Sequence, residues 1–119
     1  MALTLYGIST CGTVKKAKTW LTSREVSFEW VDFRKTPPEA ARVERWVQAL
    51  GAKAMRNTSG GAYRALGEEK KTWTDEQWAS AFKADPMLIK RPIIERDERP
   101  VQVGFRGTDE DFEARLLGE

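Results

Sequence analysis

Residues 3–21 read LTLYGISTCGTVKKAKTWL, and the fold depends on how this stretch divides. From Ala2 to Tyr6 apolar and β-forming residues alternate, which predicts a strand over 2–6 with Gly7 beginning a turn. A helix is expected next. Ser9 or Thr10 can cap it, Val14, Ala17 and Leu21 share one face, and Lys15, Lys16 and Lys18 lie largely elsewhere. On that division Cys11 falls in the first turn of the helix.

Working outward, VSFEWVDF (26–33) sets Val26, Phe28 and Trp30 against Ser27 and Glu29, the pattern of a half-buried strand. Strand, helix and strand predict a parallel βαβ opening. In TPPEAARVERWVQALG (36–51), Thr36 and Glu39 suggest a capping box and the prolines a first turn. Val43, Val47 and Leu50 form its stripe, and Gly51 is the stop. From Lys53 to about Lys71 the periodicity weakens: NTSGG (57–61) reads as a loop and AYRALGEE (62–69) as a short helical piece. TDEQWASAFKADP (74–86) is clearer, with Thr74 and Gln77 as a capping box and Trp78, Ala81 and Phe82 on one face, ending before Pro86. IKRPIIE (89–95) and RPVQVGF (99–105), joined by the charged turn RDER (96–99), predict a hairpin, and TDEDFEARLL (108–117) a closing helix.

The order βαβ, helical middle, ββα is what an α/β protein with a thioredoxin-like mixed sheet would produce, and several α/β sandwiches share it. A single domain over 1–119 is expected, with a helical insertion over about 36–85. The chain's 119 residues suit one core. With 40% apolar and 32% charged residues, and neither a bilayer-length apolar run nor a signal-peptide pattern, a cytoplasmic protein without membrane contact is expected. Lys and Arg outnumber Asp and Glu by only 20 to 18 and are scattered, which argues against direct nucleic-acid binding.

One cysteine and no histidine exclude an internal disulfide, argue against a metal site and remove Cys-His and Ser-His catalysis. A working Cys11 must be activated by its backbone. At a helix start, free N–H groups and the positive end of the macrodipole favour a thiolate over a thiol. Thr10 and Thr13 offer hydroxyls, Gly12 lies beside the sulfur, and Lys15 adds charge one turn away. The alternative is a small buried hydrophobe. The polar neighbours Ser9, Thr10, Gly12 and Thr13 favour the reactive reading. A phosphatase-type loop would need an arginine where Ala17 stands, and a thioredoxin-type dithiol a cysteine in place of Val14. Any resolving thiol must come from another molecule.

A second constellation is Arg91-Pro92, where a proline interrupts a strand-like run. In a thioredoxin-like sheet the X–Pro bond at this place is commonly cis and lies against the active cysteine, so Arg91 could grip an oxyanion with its guanidinium fork. The plainer reading is a surface arginine beside an edge-strand proline.

Together LYGISTCGTVKKAKTWL, PMLIKRPIIE (86–95) and VQVGF (101–105) resemble the arsenate-reductase-like ArsC family, which includes the Spx and YffB proteins. The resemblance spans nearly the whole chain. It implies a thioredoxin-like fold with a helical insertion, a catalytic Cys11, and Arg91 before cis-Pro92. In ArsC enzymes the cysteine attacks arsenate, and glutathione with glutaredoxin completes reduction to arsenite. Two further oxyanion arginines of these enzymes fall by count at Asn57 and Gly104, with Arg56 and Arg106 beside or near them as candidate substrate-binding residues. AMRNTSGGAYRAL (54–66) and KRPIIE with VGF are closer to the YffB-like branch. That likeness implies a glutathione-dependent thiol or oxyanion reductase, with glutathione as co-substrate and no bound cofactor, working as a monomer. The alternative is an Spx-like regulator that binds RNA polymerase, although Val14 stands where such switches commonly carry a second cysteine.

Overall fold

The computed structural model describes residues 2–105 and 110–118. These form two compact units, one from residues up to Thr36 together with those from Arg91 onward, the other Pro37–Lys90.

In the first unit β1 (Leu3–Gly7) leads into α1 (Gly12–Ser23) and then β2 (Glu29–Asp32). After the second unit come β3 (Ile93–Arg96), β4 (Arg99–Val103) and α6 (Glu110–Leu117). The sheet order is β2-β1-β3-β4, with β1 and β2 parallel and both β1/β3 and β3/β4 antiparallel. This is the mixed sheet of a thioredoxin-like α/β fold.

Strand side chains alternate between faces. Leu3, Leu5 and Ile94 point to one face and are covered by Ala17 and Leu21 of α1 and by Phe112 and Leu116 of α6. Tyr6, Ile93 and Glu95 are buried on the other. Tyr6 donates its hydroxyl to the Glu95 carboxyl at 2.8 Å, so this buried polar group is bonded within the sheet. Pro100 stands on the edge strand β4, where a missing N–H is tolerated. The hairpin turn uses Asp97 (φ 53°) and Glu98 (φ 66°), both left-handed, as a primed two-residue turn requires. Ala2 anchors it from outside, donating to Asp97 Oδ1 and accepting from Asp97 N–H, each at 2.8 Å.

Three boundaries differ from the sequence reading. Cys11 is the N-cap of α1 rather than a residue of its first turn; its backbone is extended (ψ 122°), and neither Ser9 nor Thr10 caps the helix. The second strand begins at Glu29, not Val26, because the Val26 N–H donates to Leu21 O at the end of α1 and Glu25 turns left-handed (φ 58°). The helix expected from Thr36 begins at Ala40, and its N-cap Glu39 makes no side-chain cap. Thr36 instead donates its N–H to Asp32 O at 2.8 Å. Thr36 and Pro37 each precede a proline, which disfavours helical backbone there.

In the second unit α2 (Ala40–Leu50) buries Val43, Trp46 and Val47 and stops at Gly51, whose φ of 86° needs a glycine. Short helices α3 (Ala52–Met55) and α4 (Gly61–Arg64) and a 3₁₀ turn, Glu68–Thr72, precede α5 (Asp75–Ala84). Thr74 and Gln77 form the expected reciprocal capping box on α5. Trp78, Ala79 and Phe82 are its buried residues; Ala81, placed on that face by the sequence reading, is only partly buried. A second 3₁₀ turn, Pro86–Leu88, follows. Residues 55–57 then pair antiparallel with 88–90, through Lys90 N–H to Met55 O (2.7 Å) and Asn57 N–H to Leu88 O (2.9 Å).

Candidate active site

β1 delivers the chain to the site and stops at Gly7. Ile8 is buried, Ser9 and Thr10 are exposed, and the turn closes with Cys11 N–H donating to Ile8 O at 3.2 Å. The Cys11 carbonyl then accepts from Lys15 N–H at 3.1 Å, the first bond of the helix. The half-exposed Cys11 side chain therefore stands at the N-cap, where Gly12, Thr13 and Val14 have no intrahelical acceptor for their N–H groups. No acidic residue occupies that first turn. The arrangement presents donors and positive dipole to an anion at the sulfur. Neither Thr10 nor Thr13 bonds the sulfur in this structure; Thr10 and Lys15 are exposed and Thr13 is partly buried.

The Arg91–Pro92 peptide is cis. Pro92 is buried, and its carbonyl accepts from Gly104 N–H at 2.8 Å. Because Ile93 pairs with Tyr6, the two residues before Ile93 lie beside the end of β1. Gly7 shows how closely the parts converge there: a Cβ on it would meet Val14 Cγ2 at 2.8 Å, Trp30 at 3.4 Å and Arg91 Cβ at 3.5 Å. The first turn of α1, the edge strand β2 and Arg91 thus share one end of the sheet. Gly7 is the spacer among them.

Two residues of this frame had no role in the sequence reading. Gly7 was read only as a turn, although a glycine closing a strand signals close backbone approach. Gly104 has a left-handed φ of 79° and braces Pro92 through its N–H. Only the glycine in VGF hinted at it.

Arg56 belongs to the second unit. It lies in extended backbone after α3 (φ −72°, ψ 126°), bridges to Ile89, and rests its guanidinium 4.5 Å from the Trp78 ring centroid. Its buried Nε has no hydrogen-bond partner among the described residues. Asn57 donates from its side chain to Met87 O at 3.4 Å. Arg106 lies outside the described residues.

The ArsC family profile matches residues 6–112, a span that holds Cys11, Arg91 and Pro92. The chain belongs to the ArsC family. Among relatives, the uncharacterized protein YusI of Bacillus subtilis (strain 168) is 32% identical over 117 residues, covering 95% of this chain and 97% of YusI. A solved YffB structure superposes with a TM-score of 0.84 at 32% identity, covering 98% and 99% of the two chains. That of a possible arsenate reductase from Streptococcus mutans UA159 does so with a TM-score of 0.81 at 34% identity, covering 93% and 97%. More distant ArsC relatives have named functions. They include an arsenate reductase of Rhizobium meliloti (strain 1021), 28% identical over 79% of this chain and 69% of its own length. A global transcriptional regulator Spx of Lactiplantibacillus plantarum is 26% identical over 95% of this chain and 84% of its own. No helix among the described residues is long and apolar enough to cross a membrane.

Proposed function

We propose that this ArsC-family chain is a glutathione-dependent thiol reductase that uses Cys11 as its single nucleophile and Arg91 as the anchor for an anionic group. The observation that supports the reading is the shared end of the sheet, where Val14 in the first turn of the helix that Cys11 caps, and Arg91 before cis-Pro92, both approach Gly7. In the reaction, the Cys11 thiolate attacks the glutathione sulfur of a mixed disulfide. A bond forms between Cys11 and glutathione, and the substrate leaves as a thiolate. A second glutathione thiolate then attacks the bound glutathione sulfur, releases Cys11 and carries away oxidised glutathione. Each cycle thus consumes one free glutathione and leaves both glutathiones as the disulfide, and no second cysteine is required. Glutaredoxin can take the second step in place of free glutathione.

With arsenate the same nucleophile would attack arsenic, and Arg91 would hold the oxyanion. Thr10, Gly12, Thr13 and Lys15 are assigned to stabilising the thiolate and Pro92 to substrate contact, with the chain acting as a cytoplasmic monomer.

Incubating reduced protein with oxidised glutathione and, separately, with arsenate, then measuring intact mass, tests the chemistry. A glutathione adduct lost in Cys11→Ser is expected. Protein unmodified by either reagent would count against the enzyme. The Spx likeness over most of the chain supports the competing reading, a regulator that binds RNA polymerase. Capture of polymerase by Cys11→Ser protein, with no disulfide or arsenate turnover by the wild type, would favour it.

A further inference from the structure

One turn of α1 past Cys11 begins a shallow groove of about 490 Å³, lined by Lys15, Lys16, Thr19, Trp20 and Ser23 of α1 and by Phe105. Lys15, Thr19 and Ser23 are spaced by four along α1, and the Lys15 end of the groove stands one helical turn from the Cys11 N-cap. Its floor is aromatic: Trp20 packs edge-on against Phe105 at 6.3 Å and Phe112 at 5.2 Å between ring centroids. Its hydroxyls are turned inward, Thr19 donating to Lys15 O (2.9 Å) and Ser23 to Trp20 O (2.8 Å). The exposed ammonium groups of Lys15 and Lys16 remain, and neither pairs with an acid among the described residues. Lys18 is placed differently, 3.6 Å from the Trp30 ring centroid.

An anionic, partly apolar segment complements such a surface. We propose that the groove docks an acidic stretch of a protein substrate whose cysteine carries glutathione, so that the reductase acts on polypeptide mixed disulfides. This rests on the reductase reading of Cys11. The nearness of the Lys15 end to Cys11, one helical turn away, argues for the substrate itself as occupant, since a chain that extends past this end brings a flanking cysteine to the N-cap. The step is the one written above: Cys11 takes the glutathione, the polypeptide leaves as a thiolate, and a second glutathione restores Cys11.

The test uses the full chain and two peptides glutathionylated at one cysteine, alike except that one carries Asp and Glu around an aromatic residue and the other Lys. The mixed disulfide of glutathione and mercaptoethanol serves as a small substrate. The acidic peptide should show at least a tenfold higher kcat/KM than the basic one, through KM, with the preference shrinking as salt rises. Lys16→Glu should abolish the preference and leave the small substrate unchanged. Equal kcat/KM for the peptides, or a preference that survives Lys16→Glu, would overturn the proposal. Anisotropy of a labelled acidic peptide with Ser for Cys separates the two levels. If it binds in a Lys16-dependent way while no disulfide is turned over, the groove stands and the reductase reading falls. If it does not bind, docking falls whatever the turnover.

Discussion

Gly7 is the residue on which the site geometry rests. Its missing side chain leaves room for Val14, which is fully buried and has nowhere to retreat, so a methyl at 2.8 Å from Val14 Cγ2 must move α1 or β1. Gly7→Ala should cost about 1–3 kcal/mol, as overpacking does, and slow formation of the Cys11–glutathione adduct. Urea denaturation beside adduct kinetics measures both, and unaltered kinetics in a destabilised variant would separate Gly7 from the chemistry. Arg91→Lys should behave in the opposite way: the unfolding midpoint stays, while turnover falls roughly tenfold, about 1.4 kcal/mol, because an ammonium keeps the charge and loses the planar fork. Steady-state kinetics check it. Cys11 and Arg91 could be singled out in the sequence because the proposed chemistry lies in their own side chains, a thiol in a polar loop and an arginine before a proline. Gly7 acts by leaving space, and no residue pattern displays a space.

At the scale of elements, capping decides where helices begin. Thr74 accepts from Gln77 N–H at 3.2 Å, and the Gln77 side chain accepts from Thr74 N–H at 2.8 Å. Thr74→Ala should therefore lower stability by about 1 kcal/mol, a shift readable in urea unfolding, with reductase activity retained. The same motif misled at Thr36 and Glu39, where spacing matched a capping box but two prolines kept the backbone extended until Ala40. Val26 misled for a related reason: alternation marks it as strand, yet its N–H is taken by Leu21 O at the end of α1. Between Lys53 and Lys71 the helices α3 and α4 have four residues each, about one turn, too few to show a period.

Across the whole molecule, element order narrowed the sheet to a few α/β arrangements, and the ArsC resemblance chose among them. A parallel βαβ start and a late hairpin leave few ways to pair strands, and β2-β1-β3-β4 is the arrangement adopted. The chain leaves the unit that holds this sheet after Thr36 and returns to it at Arg91, so the proposed anchor is the first residue back. The sheet's packing rests on a few fully buried side chains, among them Leu5, Leu21, Ile94 and Leu116. Leu5→Ala should remove about 2–5 kcal/mol, seen as earlier hydrogen exchange of β1 and β3 amides; a loss under 1 kcal/mol would show that this face is not a close-packed core.

The placement of Cys11 at the N-cap has a bearing on the choice of an inert control. Helices ordinarily begin with an oxygen-bearing side chain at this position, and sulfur here makes no capping bond. The serine variant that removes the nucleophile also installs such an oxygen, within reach of the N–H groups of Thr13 or Val14. Cys11→Ser should be inactive yet sturdier than Cys11→Ala by about 1 kcal/mol, a few degrees in melting temperature. Equal melting of the two variants would show that serine does not cap. If serine does cap, a phenotype in the serine variant could reflect a tightened helix as well as a missing thiol, and alanine is the cleaner blank.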